Sequence, residues 1–445
     1  MGLNSMSCIA SIRGREILDS RGNPTVEAKV TTVSGVVAIA SAPSGASTGR
    51  HEAIELRDLH KQRYLGKGVL EAVRNVNEKI SSVLVGRSCI NQREIDMIMC
   101  EADKSQNFSL LGANATTAVS MACAKAAAEV EGLSLYQHIS KLISGNANPS
   151  TPLPLMNIVN GGKHAGNGIA IQEFMIAPFR TTSISESIRI GSEIYHQLGI
   201  ILSSNLGKSA TNVGDEGGYS PTVSSVEIIL KFITNAVKEC GYAMGNDIIL
   251  GIDCAASNFW NELTNKYEID GKGYSSDELF EYYRLLCDQY DIRVIEDPFR
   301  EDDSLSYSEM TSILGHKTCI VGDDIFVTNK DRVVKGIERS EANSVIIKVN
   351  QAGTLTGAME ALTTASSAGW GIIASHRSGE TNDDWLADFS VGINADAMKA
   401  GAPARGERVV KYNRLMAMEQ TNGESSQPKM NFKSDTILKK LSIIN

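Results

Sequence analysis

Residues 344–354 read SVIIKVNQAGT, a run of β-branched residues with one lysine, Lys348, set inside it. Val345, Ile346, Ile347 and Val349 suit a parallel strand covered on both faces, the kind an α/β fold contains. A lysine there sheds its hydration, which favours the neutral amine. To serve as a base near neutrality, an ammonium of ordinary pKa about 10.4 must fall by roughly three units, about 4 kcal/mol. Burial or a neighbouring cation can supply that fall. The alternative is a lysine at a strand end that reaches water or pairs with an acid.

Outward from this stretch, strand-like runs and helical stretches alternate. Runs over residues 155–159 and 169–176 come first, then 248–253, 293–297, 318–323, 344–348 and 371–376. Each of the last five delivers an ionisable residue at its C-terminal end: Asp253, Glu296, Asp323, Lys348 and His376. Their intervals of 43, 27, 25 and 28 residues are the length of a βα unit. Parallel strands with polar residues at their C-terminal ends predict a (β/α)8-type barrel with its site on that face. Singly each acid could be a helix N-cap; five in register point to a site.

The N-terminal part reads differently. Strand-like pieces CIASI, TVEAKVTTV and VVAIAS alternate with polar turns, and residues 68–141 carry helical periodicity. Between them APSGASTGRHE (42–52) sets two glycines among small hydroxyl residues, either a linker or a lid bringing hydroxyls to a ligand. The polar, proline-containing stretch SGNANPSTPLP (144–154) marks a domain boundary. The expectation is an α+β domain with a mobile lid loop over 1–146 and a C-terminal barrel domain over 147–445.

Composition narrows the function. The 445 residues are 42% hydrophobic and 21% charged, as in a well-packed globule, with net charge -9. The absence of a basic cluster argues against nucleic acid as a required partner. Eight scattered cysteines without a Cys-x-x-Cys pair fit a reducing, cytoplasmic setting. Residues 1–16 show no long apolar core or cleavage signature, so no signal peptide is expected; no apolar run reaches membrane-spanning length, and Met6 breaks a myristoylation motif. Gly207-Lys208-Ser209 ends like a phosphate-binding loop, but Leu202 stands where that loop needs glycine.

Three carboxylates on neighbouring barrel strands form a hard oxygen set suited to magnesium, whereas no histidine or cysteine spacing suits zinc. A lysine on the next strand, facing such a site, suggests removal of a proton alpha to a carboxylate.

The motifs ILDSRGNPTVE, SGASTGRHE, NGGKHAG, QEFMIAP, NVGDEGG, GIDCA, IEDPFREDD, VGDD, IKVNQ, SHRSGET, KAGAPAR and ERVVKYN occur in this order. Through them the chain resembles the enolase family, whose superfamily pairs a Lys or His base with magnesium. The resemblance implies a lyase of glycolysis that interconverts 2-phosphoglycerate and phosphoenolpyruvate with two magnesium ions per active site. It implies Asp253, Glu296 and Asp323 as ligands of the first ion and Ser47 as a ligand of the second. Lys348 matches the base and Glu216 the acid, with Glu173 beside it. His164 matches a substrate-contacting loop residue, and Arg377 and Ser378 match a phosphate grip beside His376. Lys399 matches a partner of the substrate carboxylate. Clustering with Glu173 and Asp215 is expected to raise the pKa of Glu216. Family members are commonly homodimers or higher homo-oligomers. Ser304, Ala352, Gly406 and residues 105–119 depart from the family pattern, and none is an expected ligand or proton carrier.

Two other readings remain at this stage. A racemase or cycloisomerase of the same superfamily would need neither the phosphate grip nor Glu216. A non-catalytic scaffold on the same fold would show losses at the site positions.

Overall fold

The computed structural model describes residues 6–45, 49–59, 61–144, 149–424 and 431–432. The expected domain boundary and Ser47 of the expected lid lie outside these residues.

The N-terminal domain starts with an antiparallel meander of Ile9–Leu18, Pro24–Thr32 and Val37–Ser41. The first turn is made by Asp19, whose carboxylate accepts from the backbone N–H groups of Arg21 and Asn23, both at 2.9 Å. Helices follow. The alanine-rich helix Ala113–Glu131 is buried on nearly every face and ends at Gly132 in the left-handed region. Small side chains let it lie close to the sheet on one side and the barrel on the other. Its Thr116 hydroxyl donates to the Gly353 carbonyl at 2.8 Å.

Eight strands close the barrel: Leu153–Asn160, Glu173–Pro178, Ile248–Asp253, Ile292–Glu296, Cys319–Gly322, Ser344–Ile347, Gly371–Ser375 and Ala397–Lys399. Inward residues, among them Leu155, Met175, Ile249, Val294, Val321, Ile346 and Ile373, fill its interior. Outward ones pack under the helices, which explains strands apolar on both faces.

One strand departs from the all-parallel expectation. Glu173–Pro178 runs antiparallel to both neighbours, while the remaining pairs are parallel. The connection over residues 161–172 contains only the short 3-10 turn Gly162–His164, and a parallel return needs a long crossover, usually a helix. The reversal has a consequence for the site. Glu173 begins its strand, yet it lies opposite Asp253, which ends its own.

The N-terminal domain rests on the barrel mouth. Ser44 and Gly379 exchange backbone hydrogen bonds at 2.7 and 2.9 Å. A Cβ on Gly379 would lie 2.4 Å from Asp19 Oδ2, so this close approach requires glycine. Among the described residues no helix is long and apolar enough to cross a membrane.

Candidate active site

The strand ends converge on one mouth. Asp253, Glu296 and Lys399 close their strands, while Asp323, Lys348 and His376 lie one residue beyond theirs. Together with His164, Glu173, Glu216, Arg377 and Ser378, most of them line one small cavity. Ser304, Ala352 and Gly406 do not line it.

Two ammonium groups hold the carboxylates. Lys399 Nζ lies 2.8 Å from Glu296 Oε2, 3.0 Å from Asp253 Oδ2 and 3.2 Å from Glu173 Oε2. Lys348 Nζ pairs with Asp323 Oδ2, and Asp323 Oδ1 accepts from Gln351 Nε2 at 2.9 Å. Burial, the largest single effect, would lower Lys348, but the carboxylates of Asp323 and Glu296 together hold the ammonium above its ordinary range. The neutral lysine expected of a base calls for cations nearby, whereas the nearest charge to Lys348 here is the Asp323 carboxylate. Lys399 is likewise held well above its ordinary value by its carboxylates, against the effect of burial.

Four carboxylates around two ammonium groups leave negative charge unmet. Burial, then the neighbouring Asp253, pushes Glu296 up to about 8, and Glu296 Oε1 is buried with no hydrogen-bond partner. Both observations fit a cation with a taste for hard oxygen ligands. The expected ligands are not drawn into one tight set, since Asp253 and Glu296 meet on Lys399 and Asp323 on Lys348. Asp297, Asp323 and Asp324 do bring donor atoms within 4.8 Å of one another. Asp297, however, is committed to the Tyr307 hydroxyl and the backbone N–H groups of Asp323 and Asp324, at 3.0, 3.0 and 2.8 Å. It positions the Asp323 turn.

A second cluster faces the cavity from the glycine-flanked loop of NVGDEGG. Glu216 Oε2 accepts from Asn157 at 2.8 Å and Asn160 at 3.4 Å, with His164 Nδ1 3.3 Å away. His376 Nε2 lies 3.6 Å from Glu216 Oε1. Burial favours the neutral acid, yet His164, by its charge and its hydrogen bond, leads the groups that hold Glu216 well below the usual carboxylate range. The expected rise falls on Glu173 instead, pushed well up by burial and then by Glu216. His164 Nδ1, 3.8 Å from Glu173 Oε1, stands between the two acids. Burial drives His376 well below its ordinary value, so it is neutral.

On the third side stand Arg377 and Ser378. The Arg377 guanidinium pairs with Glu52 at 2.9 and 3.2 Å and donates to Asn350 Oδ1 at 3.0 Å. Arg21 Nη1 donates to Ser378 Oγ at 3.3 Å. Sequence reasoning did not single out Glu52, Gln351, Asn157, Asn160 or Arg21. All but Asn157 sit inside the quoted motifs, which was the available signal. Gln172, beside Glu173, donates to Asp253 Oδ2 at 3.3 Å and was also missed.

Paired lysines and buried carboxylates at the C-terminal mouth of a barrel define an enzyme built for acid–base chemistry. The family model of the enolase C-terminal TIM barrel domain matches residues 148–434, and that of the enolase N-terminal domain matches residues 9–139. The chain is 48% identical over 423 residues to Enolase B of Dictyostelium discoideum, covering 93% of this chain and 94% of that protein. It is 50% identical over 415 residues to the enolase of Methanococcus aeolicus, covering 93% and 96%. The chain belongs to the enolase family, and it is an enzyme of the lyase class.

Proposed function

We propose that this enzyme catalyses the reversible, magnesium-dependent dehydration of 2-phospho-D-glycerate to phosphoenolpyruvate, in glycolysis and gluconeogenesis. The observation that carries the reading is that two candidate proton carriers, on different elements and with different partners, line one cavity. Lys348 stands on the strand-end side and Glu216 on the loop side.

Lys348 takes the C2 proton, and the carbanion delocalises into the adjacent carboxylate as a dianion. Each opposite unit charge at about 4 Å is worth roughly 4 kcal/mol at an effective dielectric near 20, so Lys399 meets part of the developing charge. Asp253, Glu296 and Asp323 would hold one magnesium ion and Ser47 would help hold a second, and the metal would supply the remaining counter-charge. Glu216 then protonates the departing C3 hydroxyl. Its proton comes from the pair it forms with Glu173, where His164 spans the gap. Arg377 and Ser378 grip the phosphate, a contact that a racemase would not need. The intact acid–base set speaks against a scaffold.

The same reading assigns the barrel domain to 147–445 and the lid-bearing domain to 1–146. It places the enzyme in the cytoplasm as a homodimer or higher homo-oligomer. The deciding experiment follows phosphoenolpyruvate formation with and without magnesium, offering 2-phosphoglycerate against non-phosphorylated hydroxy acids. Turnover of the latter alone, or full activity after exhaustive chelation, overturns the proposal.

A further inference from the structure

The final long helix, Gly406–Glu424, begins beside the acid half of the site, and its third residue, Arg408, is completely buried (0% exposed). Its side chain threads past Gly401, whose φ is +83° and where an added Cβ would come within 2.9 Å of Arg408 Cδ. The guanidinium reaches His376 Nδ1 at 2.6 Å. It also donates to the carbonyls of Arg377 at 2.7 Å, Ser378 at 2.6 Å and Asp215 at 3.0 Å. Glu407 Oε1 lies 3.4 Å from its Nε.

A guanidinium has five donors and no acceptor, so the contact with His376 requires a lone pair on Nδ1. A neutral imidazole with a bare Nδ1 carries its proton on Nε2, the nitrogen that faces Glu216 Oε1. Meanwhile the carbonyls that Arg408 collects belong to two separate loops. Asp215 precedes the proposed acid, and Arg377 and Ser378 form the proposed phosphate grip. The one fork therefore sets the spacing of these loops and the orientation of the histidine between them. A lysine could not stand in, because a single ammonium lacks the planar, divergent donors.

We propose that Arg408 is a positioning residue for the acid half of the reaction. It locks His376 in the Nε2–H tautomer and holds the Asp215–Glu216 loop in register with the Arg377–Ser378 loop. This rests on the function proposed above. In consequence His376 presents an unpartnered Nε2–H to the cavity, as a hydrogen-bond donor toward the substrate, and it removes no proton.

Two measurements test it on the full-length protein. Nitrogen-15 NMR of histidine-labelled enzyme, with the His376 signals assigned by their loss in His376→Gln, reads the tautomer directly. The Nε2–H pattern at neutral pH is expected, and an Nδ1–H or imidazolium pattern overturns the proposal. In Arg408→Gln, kcat for dehydration should drop by at least about a hundredfold, the scale of a misplaced general acid. KM should change only severalfold, and exchange of the substrate C2 proton should persist because Lys348 is untouched. Unchanged dehydration, or equal loss of dehydration and exchange, counts against Arg408. Should that variant fail to fold, the NMR result on the native chain decides alone. An unmodified enzyme inactive on 2-phosphoglycerate would instead overturn the function, leaving the tautomer to be judged by NMR.

Discussion

Glu52 and Arg377 form a two-contact ion pair, 2.9 and 3.2 Å, with both side chains at least nine-tenths buried. Glu52 also accepts from Gly49 N at 2.9 Å, and Gln351 Nε2 lies 3.4 Å from it. The N-terminal domain thus reaches into the barrel mouth and meets the charge of Arg377. Removing one partner of a buried pair strands the other, at about 3–5 kcal/mol. Glu52→Ala should lower the unfolding free energy by that amount in urea titration, and Glu52→Ala/Arg377→Met should recover part of it. A single variant within about 1 kcal/mol of the unmodified protein would show that the pair is effectively solvated.

Asp323 carries a second prediction. Its carboxylate is the main cause of the raised Lys348, and it is an expected magnesium ligand. In Asp323→Asn, magnesium should no longer restore activity, which should fall by orders of magnitude. The metal-free variant should also be less stable, by about 3 kcal/mol, because Lys348 loses its close partner in a buried setting. Calorimetric titration with magnesium and urea unfolding measure the two effects. An Asn variant as stable as the unmodified protein would show Lys348 reaching water.

Glu296 predicts a pH dependence. Its folded value is about 8, above the ordinary carboxylate value of 4.5. Between those limits the folded state binds a proton that the unfolded state lacks, so stability falls as pH rises. The slope is about 1.4 kcal/mol per pH unit for one group. Metal-free protein should lose stability from about pH 5 to pH 8 more steeply than its Glu296→Gln variant, which has no carboxyl there to titrate. Parallel curves for the two proteins would remove Glu296 from the account.

Much of the barrel was legible because its strands end in ionisable residues one βα unit apart. The reversed strand was not, because Ile169 and Ile171 are as apolar as strand residues yet pack as buried loop residues ahead of Glu173. The site residues on strand ends could be read for the same reason as the strands. Glu52 could not, since its partner is 325 residues away and no local pattern encodes that contact. Charge states were the least legible property. The sequence predicts Lys348 lowered by burial or a nearby cation and Glu216 raised by clustering with Glu173 and Asp215, but the carboxylates of Asp323 and Glu296 in one case and His164 in the other reverse the sign. Those neighbours are brought in by the fold.

The two proposed proton carriers can be separated by isotope exchange. Lys348 adjoins Asp323 on the strand-end side, while Glu216 is held by Asn157, Asn160 and His164 on the loop side. If Lys348 is the base, Lys348→Ala should abolish both dehydration and exchange of the C2 proton with solvent. Glu216→Gln should keep measurable exchange and lose dehydration, because an amide cannot supply a proton to the leaving hydroxyl. Asn157 and Asn160 both donate to Glu216 Oε2, and the glutamine oxygen can accept the same bonds, so the loop should keep its place. NMR in heavy water, at saturating magnesium, follows the C2 position in each variant. Exchange lost in Glu216→Gln but retained in Lys348→Ala would reverse the assignment. Loss of exchange in both would mean that the two groups act as one coupled unit.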